Sequence, residues 1–150
     1  MGTLNERNAV KKLLAILALC CAALPCFAQQ NVNDNGSVLP SASYTATTVN
    51  STTLINSYSA GGHIIINVSA WNAGSYTPHI QGYDQVSGQF YDILVGNAIS
   101  STGVTVLKVY PGVGIVANGA AADIIPQYWR VQLIGSTPNM TLSIGYMFND

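Results

Sequence analysis

An all-β domain is predicted here, a two-layer antiparallel β-sandwich of jelly-roll or immunoglobulin-like type, with an up-and-down barrel as the alternative. From Ser43 onward, β-branched and aromatic residues come in short runs punctuated by Gly, Pro and Asn. Several runs alternate apolar and polar side chains with a period of two, the mark of a half-buried strand. After residue 28 no stretch keeps an apolar period of 3.6 residues, so no amphipathic helix is expected.

The N-terminal segment reads as targeting rather than fold. Arg7, Lys11 and Lys12 precede an apolar run from Leu13 to Leu24, which Pro25 ends. Cys26-Phe27-Ala28 then sets small residues at the two positions that define a signal-peptide cleavage site. The run is shorter than the ~20 apolar residues of a spanning helix, so no transmembrane anchor is expected. Leu17-Ala18-Leu19-Cys20 resembles a lipobox, but Leu19 is not the small residue required before the cysteine. Residues 1–28 are therefore read as a signal peptide, 29–42 as a flexible polar leader and 43–150 as one β-sandwich domain.

Within that domain Tyr44–Val49 and Thr53–Tyr58 are weaker strands. His63–Trp71 is stronger: Ile64, Ile66, Val68 and Ala70 share one face, Asn67 and Ser69 the other, and Ile65 interrupts the polar face. That interruption predicts partial cover on both sides. Tyr76–Tyr83 and Gln89–Val95 flank Asp84-Gln85-Val86-Ser87-Gly88, a hairpin turn in which Gly88 supplies positive φ and Asp84 bonds the turn backbone. Val104–Tyr110 is a strand stopped by Pro111-Gly112, and Asn118–Asp123 is read as a turn of helix. In Gln127–Ile134, Trp129, Val131 and Leu133 oppose Tyr128, Arg130 and Gln132. Met140, Leu142, Ile144, Tyr146 and Phe148 form the inward face of the last strand.

Charge is scarce. Five Lys and Arg and six Asp and Glu make up 7% of 150 residues, where soluble domains devote about a quarter. Beyond residue 28 the charges are Lys108 and Arg130 against five Asp, with no Glu and no Cys. Two basic residues make no groove for a phosphate backbone, so nucleic acid is excluded as a partner. Disulfides and thiolate zinc sites are excluded in the same stretch.

No Gly-x-Ser-x-Gly or His-Glu-x-x-His motif is present, His63 and His79 read as strand residues, and Asp84 and Asp92 read as a turn cap and a solvating residue. No enzyme activity, cofactor or metal is expected. Tyr76, Tyr83, Tyr91 and Tyr128, with Arg130 beside Trp129, are the candidates for an interface or for stacking against sugar rings, weighed against simple packing at the core and its rims.

From Ile80 onward the order of motifs resembles small tailed-phage virion proteins. The matching pieces are Gly82 to Leu94, Val106-Leu107-Lys108-Val109-Tyr110-Pro111-Gly112, Ala122 to Val131 with its Pro126-Gln127-Tyr128-Trp129-Arg130-Val131 core, and the closing Ser143-Ile144-Gly145 strand. The resemblance spans about residues 80–146 and implies a β-rich structural or decoration part without transferring any active-site residue. It departs at the export segment, which virion parts assembling in the cytoplasm do not need. The expected function is an exported, non-enzymatic structural or assembly protein, self-associating or decorating a larger surface. A carbohydrate-binding module using exposed Tyr and Trp is the alternative. The expected location is secreted or at the cell surface, with the virion as alternative.

Overall fold

The computed structural model describes residues 34–149. The signal peptide and the start of the leader lie outside the described residues. The strands are β1 (Asp34–Tyr44), β2 (Thr48–Asn50), β3 (Leu54–Ile55), β4 (Gly61–Asp84), β5 (Gln89–Val95), β6 (Gly103–Val109), β7 (Ala120–Ala121) and β8 (Tyr128–Asn149). No helix occurs among the described residues.

The long strands β4 and β8 organise the molecule. They pair antiparallel along almost their whole length, from Gly61↔Asn149 to Gly82↔Trp129. The first half of β4 is flanked by β6, and the second half of β8 by β1. The second half of β4 is flanked by β5, and the first half of β8 by β2 and β3. The ribbon therefore passes through two layers. The first holds β1, β8, β4, β6 and β7; the second holds β2, β3, β8, β4 and β5. The path is open, and the barrel alternative is not what forms.

Fold-back is visible in the core. Trp129 and Phe148 pair with opposite ends of β4, at Gly82 and Gly62, yet their rings approach to 5.2 Å between centroids. One apolar cluster joins Ile64, Ile66, Val68, Leu142, Ile144 and Phe148 of the first layer to Tyr76, Ile80, Trp129, Val131 and Leu133 of the second. The predicted inward faces of these strands are thus buried except at Ala70, which lies beyond a register shift after Val68 and is exposed, and Ile65 is half-buried on the outer face. The Trp129 Nε1–H is buried without an acceptor.

The corner lies where the pairing register slips, around Ala73 and Ser75. Gly74 has φ +68°, and a Cβ there would collide with the carbonyl oxygens of Ser136 and Thr137. Across from it Thr137 has φ 45° and Pro138 is buried. Trp71 Nε1 donates to the Gly74 carbonyl at 2.9 Å. Pairs expected as separate strands are consequently continuous: His63–Trp71 runs into Tyr76–Tyr83, and Gln127–Ile134 into the last strand. The bend turns the chain without ending its pairing.

Two local expectations are corrected. Asp34–Ala42, assigned to the flexible leader, is strand β1, because Val38 and Leu39 are buried and the segment pairs with β8 from Asp34↔Phe148 to Tyr44↔Met140. The Asn118–Asp123 helical turn is not formed. Asn118 adopts φ 57°, outside the right-handed helical region, and Ala120 pairs in parallel with Lys108 to make β7.

The Asp84–Gly88 turn forms as expected. Gly88 has φ +70°, its N–H donates to the Asp84 carbonyl at 2.9 Å, and the Asp84 carboxylate accepts from Val86 N at 3.0 Å and Ser87 N at 3.2 Å.

Gly88→Ala should cost about 1–2 kcal/mol, the price of a left-handed alanine whose Cβ meets only the Tyr83 hydroxyl at an ordinary contact distance of 3.8 Å. Gly74→Ala should cost more than that, because two carbonyls must also move. Urea unfolding of the two variants checks the order.

Candidate functional site

The period of two decides which side chains meet on the outer face of the second layer. On β4, Pro78 and Ile80 turn inward, leaving His79, Gln81 and Tyr83 outward. On β8, Trp129, Val131 and Leu133 turn inward, leaving Tyr128, Arg130 and Gln132 outward. Register then sets Gln81 beside Arg130 and His79 beside Gln132. On the other flank Gln81 faces Asp92 and Tyr83 faces Phe90, while Asn50 on β2 faces Gln132.

Gln81 is the hub. Its Nε2 donates to Asp92 Oδ1 at 2.8 Å and to Gln132 Oε1 at 3.4 Å, and its Oε1 accepts from Arg130 Nε at 2.8 Å. His79 Nδ1 lies 3.0 Å from Asp92 Oδ2, and Gln132 Nε2 donates to Asn50 Oδ1 at 2.9 Å. A row of polar side chains thus crosses β2, β8, β4 and β5, and it leaves Gln81 only 8% exposed.

The Arg130 guanidinium carbon sits 3.7 Å from the centroid of Phe90, whose ring packs against Tyr83 at 4.9 Å. Burial lowers the Arg130 pKa from its ordinary value, and the Asp92 carboxylate opposes the shift. Among the described residues the Arg130 Nη atoms have no hydrogen-bond partner. They leave this face able to donate to an acceptor brought from outside.

Of the sequence candidates, Tyr83, Tyr128 and Arg130 come together on this face. Tyr76 does not. It is fully buried, its hydroxyl donates to the Ala46 carbonyl at 2.7 Å, and burial, with Tyr44 adding to it, raises its pKa. Tyr76 is thus a core residue, removed from the list of contacts. Tyr76 and Tyr83 are an odd number of residues apart on one strand, so they point to opposite faces. Tyr91 is half-exposed but lies over Gly82 and Pro126 on the inward side, at the rim.

The residues that the sequence reading missed are Gln81, Gln132 and Asn50, together with Asp92 and His79 as partners rather than separate solvating groups. The alternations His79-x-Gln81-x-Tyr83 and Tyr128-x-Arg130-x-Gln132 carried the signal; the register that joins them did not show. Among the described residues no three His, Cys, Asp or Glu side chains are grouped to hold a metal ion.

The protein so far defined is an all-β sandwich with a polar, arginine-centred row on one outer face. No protein-family model matches the chain, and no curated protein matches it. A chain in a solved structure of infectious bursal disease virus, Gx strain, is similar over 80% of this chain at 12% identity with a TM-score of 0.41. This chain spans 32% of that one, and no residue role is carried over from it.

Gln81→Ala should destabilise the fold by about 1–3 kcal/mol, since it strips a partner from both Arg130 and Asp92 in a nearly closed position. Asn50→Ala, at the exposed end of the row, should stay within about 0.5 kcal/mol. Denaturant unfolding of both variants tests the contrast.

Hydrogen bonding from Ser87, then from the Val86 N–H, holds the Asp84 carboxyl below the ordinary carboxylate range. A depressed folded-state pKa means the turn bonds persist on acidification past the point where an unfolded Asp protonates, and are lost as pH falls through the lowered value. The amide resonances of Val86 and Ser87 should therefore titrate at a pH below that of a free Asp.

Proposed function

We propose that the protein is an exported, non-enzymatic structural or assembly protein that associates with itself or decorates a larger surface or particle. The observation that carries this reading is the outer face of the first layer. Val104 is 64% exposed, Val106 42% and Met147 43%, with half-buried Ile65 among them and Lys108 the nearby charge. Covering such a face removes apolar area from water while few ions need be desolvated. Tyr58, Val86 and Ile115 project from loops and extend the same character. The resemblance of residues 80–146 to tailed-phage virion proteins supports a structural part and makes the virion the alternative location to the cell surface.

The polar row of the second layer favours a second reading, a carbohydrate-binding module. Amide, guanidinium and carboxylate groups suit sugar hydroxyls, and Tyr83 and Tyr128 supply rings beside them.

Light scattering on the purified protein across protein and salt concentration, paired with affinity electrophoresis in polysaccharide gels, separates the two. Assembly predicts a mass above the monomer that persists at high salt, without retardation in the gels. A strict monomer retarded by a polysaccharide overturns assembly in favour of the module.

A further inference from the structure

We infer that β6 is the contact edge of a two-fold dimer, pairing antiparallel with β6 of a second copy about Thr105. The inference rests on the self-associating reading above and names its partner and geometry.

The argument begins with main-chain parity. Lys108 N donates to the Gly119 carbonyl at 3.0 Å and Tyr110 N to the Ala121 carbonyl at 3.3 Å, so even-numbered residues of β6 turn their N–H and C=O away from β4. By the same parity Val104 and Val106 present theirs at the open edge. Among the described residues no main-chain hydrogen bond reaches them there. β7 covers only Lys108 and Val109.

The other sheet edges carry devices that discourage pairing. β1 contains Pro40 and two register shifts against β8. β5 carries Asp92 and a register shift against β4. β2 and β3 are three and two residues long. β6 pairs with β4 from Gly62↔Val109 to Val68↔Gly103 without a shift, has no proline, and holds its charge, Lys108, in the stretch β7 already covers.

A second copy satisfies this edge. With the two-fold at Thr105, Val104 of each copy meets Val106 of the other, and each of the two pairs exchanges both N–H···O=C bonds. The valine side chains, on the outer face, then form one apolar strip across the junction, continuous with Ile65 of each copy. Lys108 falls opposite Thr102, so the two ammonium groups stay apart and no like charges are opposed. A strand with a charge at the centre of its edge would not pair with itself in this register.

The test is residue-resolved amide exchange on the unmodified protein over a range of concentrations, together with sedimentation. Protection of the Val104 and Val106 N–H groups should rise with concentration, while Thr105 and Leu107, bonded to β4, stay protected throughout. Val106→Pro removes an outward donor without touching the β4 ladder, and should weaken association about tenfold or more. Val104→Lys, which puts charge at the junction, should do the same. Val86→Lys, at an exposed hairpin tip, should leave association unchanged, and unfolding curves of all three should stay cooperative. Association that persists in the Pro and Lys variants, with no concentration dependence at Val104 and Val106, overturns the β6 contact and leaves the assembly reading standing. A protein that stays monomeric at every concentration overturns both.

Discussion

Antiparallel pairing between β4 and β8 fixes nearly everything else in this molecule. The two strands hold each other from Gly61↔Asn149 to Gly82↔Trp129, and every other strand except β7 adds to one flank of that ribbon. A flat ribbon of this length would leave one apolar face in water. Folding it over at the corner buries that face against itself, which is why Trp129 meets Phe148 and why one cluster contains both layers. The bend needs a backbone that L side chains rarely adopt, at Gly74 and again at Thr137, and the Trp71 indole pins it by bonding the Gly74 carbonyl. A glycine at Gly74, free to take positive φ, and backbone strain at Thr137 are exchanged for closure of the whole core.

Much of this was legible in the chain before any coordinates. The inward sets Ile64, Ile66, Val68 and Trp129, Val131, Leu133 follow from alternation alone, and the Asp84–Gly88 turn from residues whose chemistry is local. What was not legible is what depends on residues distant in sequence. Nothing near Gly74 says that the strand resumes rather than ends, because a glycine and a polar stretch look the same at a bend and at a loop. Nothing near Asp34 announces a strand, since the partner that buries Val38 and Leu39 is the far end of β8. The Gln81 row likewise joins four strands, and its members became neighbours only once register was fixed. Tyr76 shows the reverse case: its distance from Tyr83 already placed it on the opposite face.

The two outer faces differ in chemistry. On the second layer the polar side chains satisfy one another, so the surface is prepared and presents a guanidinium held by Gln81 and Phe90. On the first layer, valines and a methionine stand in water beside a single lysine. A chain with so few charges concentrates two of them, Asp92 and Arg130, in the polar row. The opposite face is left with little to resist contact with another apolar surface. Division of labour between faces is a natural property of a sandwich, whose outward residues are free of the packing that constrains the inward ones.

The two tryptophans occupy opposite extremes of this architecture. Trp129 is fully enclosed by Tyr146 and Phe148 with its N–H unbonded, whereas Trp71 stands 43% exposed at the corner. The indole fluorescence of this chain therefore has two separable sources, a blue-shifted one reporting the junction of the layers and a red-shifted one reporting the bend. Substituting either tryptophan leaves a single optical reporter, so that loosening of the corner can be watched apart from the opening of the core.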